Sequence, residues 1–136
     1  FTIALAPIAK AQRRIVETRN AKTPEARNGV LLAGEKLSVK IREHGVWYSV
    51  ALQMNRDASL YLDTRNLRNW IQQNLSSQRV LNTFAYIGSL GVAAQAAGAL
   101  RVVQLDLNRN FLNVAKTSCT LNGFPIHKAG FQSGDF

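Results

Sequence analysis

A chain with one cysteine, Cys119, can neither close an internal disulfide nor build a multi-cysteine zinc site. That economy of thiols suits a reducing, cytoplasmic setting. Histidine is nearly as scarce: His44 and His127 stand far apart, each without a second histidine or a carboxylate at ligand spacing, so no metal is expected. Acids are few, eight against seventeen basic residues, and the formal net charge of +9 fits a polyanionic partner such as RNA. No run is apolar enough for a membrane span, since the one uncharged stretch, 83–100, is rich in Ala and Gly and contains Gln95. A basic segment followed by an apolar run is also missing, so no signal peptide is visible. Neither G-x-G-x-x-G nor G-K-[ST] occurs, which weakens dinucleotide and ATP sites. The chain starts at Phe1 rather than Met and stops at Phe136 after Ser-Gly-Asp with no capping signal, so it is expected to be part of a longer protein.

The chain has the length for one domain with a real core. Pro7 with Ile8, Ala11 and Ile15 predicts a short helix over 7–18, whose other face carries Lys10, Arg13 and Arg14 as a solvated or RNA-contacting stripe. Residues 20–29 hold Pro24 and Asn28-Gly29 and read as a loop. Leu37, Val39 and Ile41 then alternate with polar residues, and beyond a turn at Glu43-His44-Gly45 so do Val46, Tyr48, Val50 and Leu52, which predicts a hairpin with one apolar face. Trp47 belongs to the opposite face, where it covers a neighbouring element or stacks on a base. The period changes again over 55–75, where Asp63 or Thr64 caps a helix with Leu67, Trp70, Ile71 and Leu75 on one stripe. The expected division is 1–54 for the helix, linker and hairpin, and 55–136 for the remainder.

Residues 80–108 carry the chemistry. Val80 and Leu81 open a strand without alternation, as for a central parallel strand covered on both faces. Gly88 and Gly91 follow, then a small-residue helix over 92–97 closed by Gly98, and a strand that ends on Asp106, about twenty residues beyond Gly88. In such a βαβ unit the glycine lets the backbone approach a ligand, the helix offers free amides, and the acid accepts hydrogen bonds from ribose hydroxyls. A nucleoside-containing ligand is implied. Phe84 and Tyr86 stand where a dinucleotide fingerprint has its earlier glycines.

"VLNTFAYIGSLGVAA", "DLNRNFLNVAKTSCTLNG" and "SGDF" resemble motifs I, II and III of class I S-adenosylmethionine-dependent methyltransferases. More narrowly, "YLDTRNLR" followed by "FAYIG" resembles the ribosomal RNA large-subunit methyltransferase families I and K, and "GVLLAGE" with the hairpin resembles the segment just before their catalytic domain. The likeness runs over about residues 28–136. It implies an α/β fold comprising the first three strands of a Rossmann-like class I sheet, preceded by the hairpin and the short helix. It also implies S-adenosyl-L-methionine as cofactor and ribosomal RNA as partner.

Carried over by position, the resemblance assigns Phe84, Tyr86 and Gly88 to the methionine and ribose side of the cofactor. Asp106 would hold the ribose hydroxyls, with Leu107 and Asn108 beside the adenine, Asp135 and Phe136 on the adenine edge, and Asp63 and Arg65 near the methionine carboxylate. Asn82 stands where the family usually has an acid and Ile87 where it usually has Thr; Asn82 keeps a hydrogen-bonding oxygen but loses the charge that would meet the cofactor's ammonium. Cys119 falls on the inward face of the helix after Asp106 with Leu112 and Ala115, so it reads as a buried structural thiol. The catalytic and base-binding groups are expected beyond Phe136, beginning with a D/N-P-P-[FYT] motif within about 60 residues. Two alternatives are a nicotinamide-dependent Rossmann enzyme and a non-catalytic, basic RNA-binding module.

Overall fold

The computed structural model describes residues 14–16, 23, 30–33, 39–54, 59–127 and 130–134. Contacts divide the chain into one unit of 1–39 with 51–58 and a second of 40–50 with 59–136. In the first unit, β1 (Arg14–Val16) pairs antiparallel with β2 (Val30–Ala33), with a register shift between Arg14 and Ile15. This corrects the helix expected over 7–18: where that segment is described it is strand, because the β-branched pair Ile15-Val16 favours extended backbone and residues 30–33 offer a strand to pair with. The rest of that expected helix lies outside the described residues.

The second unit begins with the hairpin of β3 (Lys40–Glu43) and β4 (Val46–Ser49), in register from Lys40↔Ser49 to Glu43↔Val46. His44 (φ 48°) and Gly45 (φ 81°) are both left-handed, which matches a two-residue turn to the strand twist. Val46, Tyr48 and Val50 are buried as the alternation predicts. Val39 and Ile41 are exposed instead, and the buried side chain of β3 is Glu43. The backbone of β4 is paired on its other side by a helix: Trp47 N–H donates to Asn122 Oδ1 (2.9 Å), Asn122 Nδ2 donates to Trp47 O (2.7 Å), and Ser49 N–H donates to Ser118 Oγ (2.8 Å). Side chains thus blunt a strand edge.

Helix α1 (Arg65–Asn74) follows a turn at Thr64. Its inward residues are Arg68 and Ile71, while Leu67 and Trp70 of the expected stripe are exposed. The reason is Arg68, fully buried, whose Nε and Nη2 donate to the two Glu43 carboxylate oxygens at 2.7 and 3.0 Å. Its Nη1 donates to Tyr61 O (2.8 Å) and Thr64 Oγ1 (2.6 Å). A buried charge survives because it is bidentately paired and its remaining donors are satisfied.

Strand β5 (Arg79–Thr83), helix α2 (Ser89–Ala96), strand β6 (Arg101–Asp106), helix α3 (Arg109–Leu121) and strand β7 (Phe131–Ser133) form a parallel sheet in the order β5-β6-β7. Its register runs Arg79↔Arg101 to Thr83↔Leu105, then Gln104↔Phe131 to Asp106↔Ser133. Right-handed crossovers between strands laid down in one direction put α2 and α3 on the same face. There Ile71, Ala93, Ala94 and Val102 make a core that Leu75, Val80, Leu90 and Ala99 extend. The small residues of α2 let the helix lie close to the sheet. On the other face Leu81 is 65% exposed, and β5 stands at the edge of the three strands described. Among the described residues no helix is long and apolar enough to cross a membrane.

Candidate functional site

The C-terminal ends of β5 and β6 converge on one carboxylate. Asp106 Oδ2 accepts the Tyr86 N–H at 2.8 Å and Oδ1 accepts the Asn108 N–H at 2.8 Å. The acid therefore latches the loop after β5 to the turn after β6. Each oxygen keeps further acceptor capacity, because an ionised carboxylate offers about four lone-pair sites.

The latched loop is strained in a regular way. Phe84 (φ 52°), Tyr86 (φ 53°) and Gly88 (φ 73°) alternate in the left-handed region, which costs roughly 1–3 kcal/mol for each non-glycine residue. Phe84 and Tyr86 thus hold, with side chains, the backbone that glycines supply elsewhere. Surrounding contacts enforce it: Ala85 N–H donates to Leu105 O (2.9 Å), Gly88 N–H donates to Ala85 O (2.7 Å), and the Tyr86 ring lies 4.5 Å from the Phe111 ring and 5.2 Å from that of Tyr61. Ala85 and Ile87 point inward and are buried, whereas Phe84 is 76% exposed.

Gly88 and Gly91 have a second duty. Gln104, on β6 and 1% exposed, fills the space beneath both: a methyl group on Gly88 would overlap the Ala115 methyl and the Gln104 amide oxygen, and one on Gly91 would lie 2.5 Å from Gln104 Cδ. Gln104 Oε1 accepts from Asn82 Nδ2 (3.3 Å), while Gln104 Nε2 has no partner among the described residues. The glycine spacing thus answers to internal packing as well as to backbone conformation.

The remaining sequence-derived positions fall around this latch. Asn108 caps α3, its side chain accepting from Asn110 N–H (2.9 Å), and Leu107 beside it is exposed. The end of β7 closes on the same turn, with Ser133 Oγ donating to Leu107 O (3.1 Å) and Gly134 N–H to Asp106 O (3.3 Å). Asp135 and Phe136 lie outside the described residues. Asp63 is exposed in the turn before α1, and Arg65 Nε sits 3.8 Å from Glu43 Oε2. The Tyr61–Tyr86 ring contact brings this turn up to the latched loop. Asn82 belongs instead to the interior pairing with Gln104.

Sequence reasoning missed Tyr61, Phe111, Gln104 and the Glu43–Arg68 pair. The first had a trace, since Tyr61 opens the "YLDTRNLR" stretch; the others are ordinary residues until the fold brings them together. Cys119 is fully buried, donates from Sγ to Gln95 Oε1 (2.9 Å), and burial pushes its thiol up to about 11. It is no nucleophile in that state. No group of His, Cys, Asp and Glu able to hold a metal occurs among the described residues.

Comparison with known proteins supplies the context for this geometry. The family model described as S-adenosylmethionine-dependent methyltransferase matches residues 1–136. The ribosomal RNA large subunit methyltransferase I of Photobacterium profundum is 32% identical over 125 residues, covering 91% of this chain and 32% of that protein. The ribosomal RNA large subunit methyltransferase K/L of Colwellia psychrerythraea is 34% identical over 121 residues, covering 89% of this chain and 17% of that protein. In fold, the chain is similar to the Pyrococcus abyssi tRNA (uracil-54, C5)-methyltransferase solved with S-adenosyl-L-homocysteine, with a TM-score of 0.63, 15% identity, and coverage of 92% of this chain and 30% of that one. The chain therefore spans a third or less of the length of these relatives.

Proposed function

Because this chain belongs to the S-adenosylmethionine-dependent methyltransferase family, we propose that it is the cofactor-binding part of an enzyme that methylates a base of ribosomal RNA. The observation that carries the reading is the Asp106 latch: a carboxylate fixed by two backbone amides at strand ends, beside a left-handed loop. That donor set fits a nucleoside. The free lone pairs of Asp106 would accept the two ribose hydroxyls, and Leu107 and Asn108 would flank the adenine. Phe84, Tyr86 and Gly88 would line the ribose and methionine side, with Asp63 and Arg65 toward the methionine carboxylate. Asn82, turned to Gln104, would contribute through the shape of the strand end. Asp135 and Phe136 would close the adenine edge.

S-adenosylmethionine supplies an electrophilic sulfonium methyl when bound; the part of this chain is to orient the cofactor and fix its position relative to the substrate. The groups that hold the target base would be provided by the remainder of a longer protein, and the base would be extruded to reach them. The RNA partner is supported by the names of the relatives and by the +9 charge, and a ribosomal RNA substrate would suit a cytoplasmic setting. The nicotinamide alternative falls with the family. The test is calorimetric titration of the full-length protein with S-adenosylhomocysteine, paired with methyl transfer to ribosomal RNA. Binding without transfer to any RNA would refute the substrate, and absence of binding would refute the site.

A further inference from the structure

At the opposite end of the sheet from the Asp106 latch lies a cavity of about 550 Å³, lined by Arg79, Gln95, Arg101, Phe124, His127 and Phe131 among others, and by no carboxylate among the described residues. Arg79 and Arg101 begin β5 and β6 and are in-register neighbours. Two like charges side by side on paired strands repel unless a counter-charge joins them. Neither guanidinium makes a hydrogen bond or ion pair with a described residue. Lys116 Nζ, outside the lining, lies 5.5 Å from the centre of the Phe131 ring.

We propose that this cavity is a second RNA contact, in which Arg79 and Arg101 clamp a backbone phosphate of a single-stranded segment and Phe124 or Phe131 takes the adjoining base. The inference rests on the RNA-methyltransferase reading above and adds a surface to it. The guanidinium fork matches phosphate oxygens bidentately, and phenyl faces accept any base, so the contact selects an unpaired strand without reading its sequence. The volume falls within the range of small-ligand pockets, which suits one nucleotide unit. The clamp and the latch stand at opposite ends of the same strands, roughly 17 Å apart at about 3.3 Å per residue. A substrate strand held at the clamp is anchored at a set distance from the cofactor, and binding there leaves the cofactor site untouched.

The experiment uses the full-length protein, a short fluorescein-labelled single-stranded RNA of mixed sequence, and the double variants R79E/R101E and R79Q/R101Q. Anisotropy titrations should show at least a tenfold weaker complex, and the salt slope should fall by about 0.7, the value for one lost phosphate contact on a single strand. Melting temperature and S-adenosylhomocysteine affinity should stay at the parent values. In the parent protein, the Arg79 and Arg101 Nε–H resonances, assigned through R79Q and R101Q, should shift when RNA is added. RNA affinity and salt slope unchanged in the folded variants would overturn the clamp and leave the proposed function standing. Failure of the parent to bind RNA at all would overturn both. Loss of inorganic-phosphate binding with RNA binding intact would assign the cavity to a small free anion and overturn the RNA clamp.

Discussion

Removing the Asp106 carboxylate should damage the protein twice, once without any ligand and once with it. In Asp106→Ala the amides of Tyr86 and Asn108, each held at 2.8 Å, lose a charged acceptor. Such bonds contribute about 1.5–3 kcal/mol apiece. Asp106 is partly exposed and water can replace some of the loss, so the lower figure applies and the pair comes to about 3 kcal/mol. Relaxation of Tyr86 out of its left-handed conformation returns about 1 kcal/mol, leaving roughly 2 kcal/mol of net destabilisation. At about 4–8 °C per kcal/mol for a unit of this size, the ligand-free melting temperature should fall by roughly 10 °C. Cofactor affinity should fall in addition by at least about tenfold, or about 1.4 kcal/mol, because the ribose hydroxyls lose their acceptor. Scanning calorimetry without ligand and titration with S-adenosylhomocysteine below the variant's melting temperature separate the two effects. Asp106→Asn should be intermediate, since a carboxamide offers one oxygen to one amide and opposes an N–H to the other. An unchanged melting temperature would refute the latch, and unchanged affinity in the folded variant would refute Asp106 as the ribose receptor.

Glu43→Ala should cost about 3–5 kcal/mol in urea unfolding, because it strands a fully buried Arg68, and Glu43→Met with Arg68→Met together should recover most of that loss. Gly91→Ala should destabilise by about 1–3 kcal/mol through overlap with Gln104, and the double variant with Gln104→Ala should lose less than the sum of the two single changes in a double-mutant cycle. Burial raises the Cys119 thiol from 9.0 to about 11 and the Tyr48 phenol from 10.0 to about 12, in each case favouring the neutral form in the folded chain. The unfolded chain therefore loses these protons first: stability from the two groups is full below pH 9 and drains as pH rises through about 11 and 12. Urea midpoints followed from pH 8 upward should decline, and Cys119→Ala should remove the earlier part of the decline.

The parts of this fold that could be read in the sequence are those built from neighbours. The strand–turn–helix–strand order over 79–106 rests on β-branched runs and glycine punctuation, and Asp106 follows at a spacing set by one crossover. The inward position of Cys119 follows from helical period alone. What could not be read depends on partners distant in the chain. Val39 and Ile41 alternate as a buried face should and share the face of Glu43, yet they are exposed, and it is Glu43 that is buried there against Arg68. Leu67 and Trp70 share the stripe of Ile71 in the sequence but lose the interior to that same arginine. At 14–16 a helical spacing is overridden by a strand partner at 30–33. Gly88 and Gly91 pointed to a ligand turn; that Gln104 also requires them has no local signal.

The Glu43–Arg68 fork bears on how such a protein can be rearranged in evolution. The hairpin and α1 are separated in sequence by residues 51–58, which belong to another compact unit, yet they share one buried charge pair. A recombination break anywhere between them would pass on one member of the pair without the other, and the recipient would inherit an arginine sealed from water or an acid with nothing to hold. The hairpin and α1 must travel as one heritable block, and whatever joins them is carried along with both.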